Sequence, residues 1–424
     1  MTTLLRTLIK PDRWPAFARG MLAYGSAEAA TRAVRLATIL VVARQISPAT
    51  LGVAALALSL FELVRVLTNA GVGQRIIIAT QDELEGVCRT ALRLFWTIAA
   101  GVMAMQLALA ALLWAVFDLG EVAGMLAALA LVYGFMPAGQ VQIFLAMRAQ
   151  RMAATAGVAA TQNIADSLLT LALVIIWPSA WAIVLPKLLT APVWLVLARR
   201  TYSWLPDRAV NPAPMSDFRN FGPAILASEM LTAARLHADK LIVGALLGTE
   251  ALGLYYFAFN AGLGITQSLV AACNLVLFPH LAKLDGADLE REFRSTFLRG
   301  FAVFAPIIAA QVVLAPVYVP VVFGENWIEA TPYIALLACA ALPLLSGSLI
   351  AARHRAAGAP FAETRLMAMA TLASLTGLAL GCQISLAAAC AGFGAGLALV
   401  LIPAAFPFII CTTRPTILTQ GDSQ

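Results

Sequence analysis

Apolar stretches long enough to cross a bilayer recur from Gly20 to Cys411, and this repetition limits what the chain can fold into more than any other feature. A spanning helix needs about 20 mostly apolar residues. Twelve such stretches can be marked, near 20–44, 49–70, 91–117, 122–147, 153–176, 179–199, 220–248, 251–279, 297–322, 328–351, 360–382 and 385–411. Inside hydrocarbon a segment must satisfy its own backbone hydrogen bonds, which a helix does and an open sheet does not. The composition agrees: 61% of the residues are hydrophobic and 12% charged, against about 45–50% and 25% in soluble domains. The expectation is an all-α integral membrane protein with about twelve transmembrane helices.

The opening residues, "MTTLLRTLIKPDRW", carry basic groups but no apolar core with a small-residue cleavage site, so the first helix reads as retained. Six cysteines, Cys88, Cys273, Cys339, Cys382, Cys390 and Cys411, lie in or beside apolar segments without pairing pattern or CxxC, and imply neither a disulfide framework nor a metal site. The net charge of +6 is topological rather than a mark of nucleic-acid binding. Of 28 basic residues, 21 fall in or next to the connections of one side, from Arg6, Lys10, Arg13 and Arg19 through Arg148 and Arg151 to Arg353, Arg355 and Arg414. The opposite connections hold only Arg44. Such asymmetry places both termini and the long connections in the cytoplasm, where anionic lipid head groups add to the attraction.

The opposite connections are short: "QISPAT", "DLGE", "PS", "GTE", "GENW" and "QIS". The Pro-rich, charged "RRTYSWLPDRAVNPAPMSDFRN" (199 to 220) divides the helices six and six and reads as a linker, giving an N-lobe at 1–200, a linker at 201–219 and a C-lobe at 220–424. The halves also align at an offset of 201. Leu51 and Gly52 match Leu252 and Gly253, and Glu28, Thr31 and Ala33 match Glu229, Thr232 and Ala234. An even number of spans per repeat leaves both halves in one orientation, so two pseudo-symmetric six-helix bundles with a cleft are expected.

Charges interrupt several of the apolar stretches. Glu28, Arg32 and Arg35 are spaced i, i+4, i+7 and fall within about 60° of helical arc. A charged side chain at the bilayer centre costs about 2.5–3.5 kcal/mol even on the lenient insertion scale, so the stripe must face protein or water. Glu62 and Arg65 form an i, i+3 pair; Arg235 and Asp239 form an i, i+4 pair, with Glu229, His237 and Lys240 pointing elsewhere. Asp166 and Lys187 stand alone in their helices. Two readings are open for these groups: static ion pairs that fix helix register, or the wall of a polar cavity. The set as a whole favours the cavity. Pro137, Pro186, Pro192, Pro306, Pro316 and Pro343 mark kinks. "GFGAG" (392 to 396) imitates a nucleotide loop but lies in an apolar helix and reads as a helix-packing surface.

The chain resembles the polysaccharide-repeat flippases (Wzx type) of the multidrug/oligosaccharidyl-lipid/polysaccharide superfamily. The resemblance is carried by "ARQISPATLGVAALALSLFELVRVLTNAGVGQRII" (43 to 77), "DKLIVGALLGTEALGLYYFAFNAG" (239 to 262), "VLFPHLAKL" (276 to 284) and "VVFGENWIEATPYIALL" (321 to 337). It implies a V-shaped, twelve-helix alternating-access machine in the bacterial cytoplasmic membrane. Its cargo would be an undecaprenyl-pyrophosphate-linked oligosaccharide repeat, moved from the inner to the outer leaflet. On that reading Arg32, Arg35, Arg65 and Arg235 are candidates for the pyrophosphate, because a guanidinium donates bidentate hydrogen bonds and keeps its charge. Glu28, Glu62, Asp166, Lys187, Glu229 and Asp239 are candidates for ion pairing or for H+ or Na+ coupling, with Glu28 and Glu229 in equivalent places. Polymerase machinery is a candidate partner. No cofactor, metal or catalytic residue is implied. A cation-coupled multidrug exporter of the same superfamily is the alternative; a multispanning glycosyl polymerase or ligase is disfavoured by the short outer connections.

Overall fold

The structure, a computed structural model, describes residues 34–407 except 36, 208, 220, 221 and 265–285. Every regular element among them is helical. The first half contains α1 (Pro48–Arg65), α2 (Val72–Ile78), α3 (Leu84–Phe117), α4 (Gly120–Ala130), α5 (Pro137–Arg148), α6 (Met152–Ile176), α7 (Ala180–Leu189) and α8 (Ala191–Thr201). There follow α9 (Gly222–Ala258), α10 (Gly286–Tyr318), α11 (Thr331–Cys339), α12 (Ala341–Ala356), α13 (Pro360–Cys382) and α14 (Leu386–Leu401). Three of the short connections start their helices in the same way. Ser47, Ser179 and Ser385 each accept the backbone N–H three residues on, at 3.3, 3.4 and 3.1 Å, which satisfies a donor the first helical turn leaves open.

Nine helices among the described residues are long and apolar enough to cross a membrane, and one bent pair makes ten. The twelve stretches expected differ from this in three places. Residues 20–33 of the first lie outside the described residues; 37–45 are helical. Stretches 220–248 and 251–279 are divided within α9 by Gly248 alone, whose φ of 85° and ψ of 178° are not helical and suit a residue without Cβ. The stretch at 122–147 is not one helix. α4 and α5 meet at 56°, because Pro137 lacks an N–H and its ring collides with the preceding turn.

The chain divides into two compact units, Met1–His237 and Ala238–Gln424. In the first, Gln106 of α3 is fully buried; its Nε2 donates to Leu126 O at 2.7 Å and its Oε1 accepts Tyr133 OH at 2.7 Å. An amide that donates and accepts thus ties α3 to α4 without a net charge. Residues 202–207 and 209–218, linker-like in sequence, form a strap on the same unit. Ala213 N donates to Gly86 O at 3.0 Å, Thr90 Oγ1 to Ala213 O at 2.7 Å, and Trp204 Nε1 to Glu85 Oε2 at 2.8 Å. Arg89 donates to Val210 O. Phe218 closes an apolar cluster with Val72, Ile76, Val87, Ala91 and Leu145.

Beside the strap, Arg75 reaches Glu83 through both Nη atoms at 3.0 and 2.8 Å and lies 3.6 Å from Asp217. The Arg75 hydrogen bonds, with the N–H of Thr80, hold the exposed Glu83 carboxyl down at about 2. A depressed carboxyl contributes fully above its ordinary value of 4.5 and is lost as pH falls through about 2. Glu83→Gln should lower the melting temperature of the purified protein equally at about pH 7 and about pH 5, with the difference narrowing only toward pH 2. A difference already gone near pH 4.5 would mean that the clasp does not form.

In the second unit, α13 and α14 form a tight antiparallel pair. A Cβ on Gly377 would collide with the backbone of Gly392, one on Gly392 with that of Gly377, and one on Gly396 with Ala373. The "GFGAG" motif is therefore a surface for backbone contact, as small residues are in membrane helix pairs. Phe257 packs against Trp327 with centroids 4.0 Å apart and rings tilted by 32°, and Trp327 is fully buried. Gly392→Val should abolish the folded yield in detergent, whereas Gly394→Ala, whose Cβ would meet Ala340 at an ordinary 3.5 Å, should leave it unchanged.

Candidate functional site

A cavity of about 300 Å3 opens within the first unit, inside the membrane-spanning helices. Its charged wall comes from three of them. Glu62 and Arg65 lie one helical turn apart on α1, and Arg65 Nε and Nη2 both donate to Glu62 Oε2, at 2.8 and 2.6 Å. Lys187 of α7 places Nζ 3.6 Å from Glu62 Oε1 and 3.9 Å from Asp166 Oδ2 of α6. The result is a row of alternating sign: Arg65, Glu62, Lys187, Asp166. Pro186 lies inside α7 beside Lys187, and α7 gives way to α8 at Thr190.

None of the four side chains is sealed off. Arg65 keeps 42% of its side-chain surface, Lys187 33%, Asp166 25% and Glu62 18%. That exposure opens into the cavity, whose remaining polar wall is neutral: Asn69, Gln140, Gln162, Asn163 and Thr190. Phe61, Phe135 and Trp194 supply flat apolar faces. Two oxygens in this wall are buried without a hydrogen-bond partner among the described residues, Asp166 Oδ1 and Thr190 Oγ1.

The other sequence candidates are distributed as follows. Arg35 is exposed and its charge acts on Asp166; Glu28 and Arg32 lie outside the described residues. Glu229 is half-buried and accepts Asn69 Nδ2 at 3.4 Å. It lines a neighbouring cavity of about 150 Å3 with Thr68, Gly71, Gln74 and Phe144. Arg235 is exposed on α9, and the charge of His237 acts on Glu62.

The pairing of Asp239 differs from the expected one. Sequence spacing couples it to Arg235, but its carboxylate receives Lys240 Nζ at 3.1 and 3.2 Å and Tyr255 OH at 2.9 Å, all deeply buried in the second unit. Helix geometry sets adjacent side chains about 100° apart, yet the flexible four-carbon stem of lysine folds back across that angle. Lys240 Nζ also lies 4.3 Å over the ring of Phe259, a cation–π contact. The neutral wall of the first cavity is absent from the sequence reading altogether. Its signal is present in the sequence as the polar triplet Thr161, Gln162, Asn163 inside an otherwise apolar helix. Among the described residues no group of three His, Cys, Asp or Glu side chains could hold a metal ion.

A family model described as "Polysaccharide biosynthesis protein" matches residues 41–332, which include the whole charged row. The chain belongs to this polysaccharide biosynthesis family. Among its curated relatives, the succinoglycan biosynthesis transport protein ExoT of Rhizobium meliloti is 22% identical over 73% of this chain and 63% of its own length. The chain spans between 34% and 63% of the length of the curated relatives it matches. The fold of this family member is that of two solved transporters. One is the lipid II flippase MurJ in an inward closed conformation, with a TM-score of 0.75 at 8% identity, covering 91% of this chain and 87% of MurJ. The other is an inward-facing multidrug resistance MATE family transporter of the MOP superfamily, with a TM-score of 0.65 at 15% identity over 89% and 93%. The family member is thus a multi-pass membrane protein with a MATE/MOP-type fold.

Lys187 is the link that joins the two carboxylates of the row. Lys187→Met should leave Asp166 poorly compensated and destabilise the protein by about 2 kcal/mol, below the roughly 3–5 kcal/mol of a fully buried pair because the lysine is partly exposed. Adding Asp166→Asn should restore most of the melting temperature. If the double variant is no more stable than Lys187→Met alone, the two groups are not coupled.

Proposed function

We propose that this protein is a flippase that moves lipid-linked saccharide repeats, carried on undecaprenyl pyrophosphate, from the inner to the outer leaflet of the bacterial cytoplasmic membrane. Both termini lie in the cytoplasm on this reading, and transport proceeds by alternating access without a catalytic step. The observation that carries it is the cavity walled by Arg65, Glu62, Lys187 and Asp166 inside membrane-spanning helices. Hydrocarbon gives no reason to keep four ionised groups in a helix wall unless that wall meets a polar cargo or water. Membership of the polysaccharide biosynthesis family supports the saccharide, and the printed names of ExoT and MurJ, a transport protein and a lipid II flippase, support the transport step.

The head group falls to guanidinium groups. Arg35 and Arg235 are exposed and donate no hydrogen bond among the described residues, so their forks are available to phosphate oxygens. Arg65 is engaged with Glu62 and serves the cavity wall instead; Arg32 keeps the role its place beside Arg35 suggests. Glu229, and Glu28 at the equivalent position of the first half, are the carboxylates for H+ or Na+ coupling. The polymer-forming machinery of the same pathway would receive the product. A drug exporter would call for an apolar cavity with acidic groups alone, and the alternating signs of this wall favour the saccharide carrier.

In cells that depend on this protein for their surface polysaccharide, Arg35→Ala with Arg235→Ala should reduce polymer output at least about tenfold, with membrane insertion and protein level unchanged. Full output from the double variant would remove the head-group assignment.

A further inference from the structure

The cavity in the first unit has a charge balance that its position in a carrier of pyrophosphate-linked cargo does not explain. Two cations and two anions face it, and each cation has a carboxylate as its neighbour: Arg65 holds Glu62 at 2.6 Å, and Lys187 stands between Glu62 and Asp166 at 3.6 and 3.9 Å. Their charges cancel. A diphosphate brings at least two negative charges and would meet Glu62 and Asp166 as readily as the cations. A free metal cation fares no better, because the ammonium of Lys187 already occupies the space between the carboxylates.

What remains is a wall made for hydroxyl groups. Gln140, Gln162 and Asn163 each carry both donors and an acceptor, and Asn69, whose Nδ2 donates to Glu229, keeps its carbonyl oxygen; this is the combination that a polyol matches, since every hydroxyl gives one hydrogen bond and takes others. Thr190 is 3% exposed, and neither its Oγ1 nor the buried Asp166 Oδ1 has a hydrogen-bond partner among the described residues. Buried polar atoms are almost always paired in folded proteins, so two unpaired oxygens on one cavity wall mark where a ligand's O–H groups complete the set. Opposite polarity is provided by the rings of Phe135 and Trp194, flat apolar surfaces suited to the C–H face of a pyranose. The volume of about 300 Å3 is at the small end of ligand cavities, which run to about 1,000 Å3, and it suits a sugar ring rather than a whole repeat.

We infer that this cavity is a sugar subsite, which takes an uncharged pyranose unit of the cargo through Thr190, Asp166, Asn163 and Trp194 while the diphosphate is bound elsewhere. The inference rests on the flippase reading and deepens it: one unit of the protein reads the saccharide, and cargo selectivity resides in neutral amide and hydroxyl groups rather than in the arginines.

The test uses the full-length protein in lipid nanodiscs with two ligands: the lipid-linked saccharide extracted from the cells that express it, and undecaprenyl pyrophosphate without sugar. Affinities are measured by thermophoresis. The unaltered protein should bind the sugar-bearing lipid at least about tenfold more tightly. Thr190→Val, which keeps the shape and removes the hydroxyl, and Trp194→Leu should each erase that preference while binding of the bare lipid stays within about twofold, which also shows that the variants are folded. Equal loss for both lipids, no loss for either, or a change confined to sodium dependence would overturn the sugar subsite. An unaltered protein that binds both lipids equally would overturn it as well. Binding of neither lipid by the unaltered protein would overturn the flippase reading itself.

Discussion

An ionised side chain inside hydrocarbon has to find its compensation within the protein, and that requirement organises both units of this structure. In the first, the row from Arg65 to Asp166 draws on α1, α6 and α7, so that three helices are held in register by groups none of them could keep alone. In the second, Asp239 finds Lys240 and Tyr255, and the lysine's remaining surface lies on the ring of Phe259. The two solutions differ in access. The second is closed, with Asp239 1% and Lys240 5% exposed; the first borders open space.

Around these polar centres the helices are held by close approach and by neutral hydrogen bonds. Apolar side chains gain little from leaving lipid for protein, so contact at backbone distance, as between Gly377 and Gly392, does what a hydrophobic core does in water. Gln106 between Leu126 and Tyr133 adds a bond without adding charge. Kinks belong to the same design. The 56° bend before Pro137 brings Gln140 onto the cavity wall beside Phe135.

The spans were legible because length and apolarity are what a bilayer demands. Glu62 and Arg65 were legible as a pair because one helical turn brings i and i+3 together whatever surrounds them. Lys187 could be marked as a buried charge, but its partners are 125 and 21 residues away in sequence (187 minus 62, and 187 minus 166) and no helical period connects them. Asp239 shows the reverse error: a sound i, i+4 rule pointed to Arg235, while a flexible neighbour and a tyrosine 16 residues on hold the carboxylate. Gln162, Asn163 and Thr190 escaped notice because uncharged polar residues disturb hydropathy little, although they are three of the five neutral polar residues on the cavity wall.

The strap of residues 202–207 and 209–218 binds an order of events into the chain. Its bonds from Thr90 to Ala213 and from Trp204 to Glu85 close loops of 123 and 119 residues, so they cannot form until everything from α3 to α8 has left the ribosome and entered the membrane. Synthesis proceeds from the N-terminus, and the strap precedes the whole of the second unit. The strap can therefore close on α3 before most of the second unit has been made.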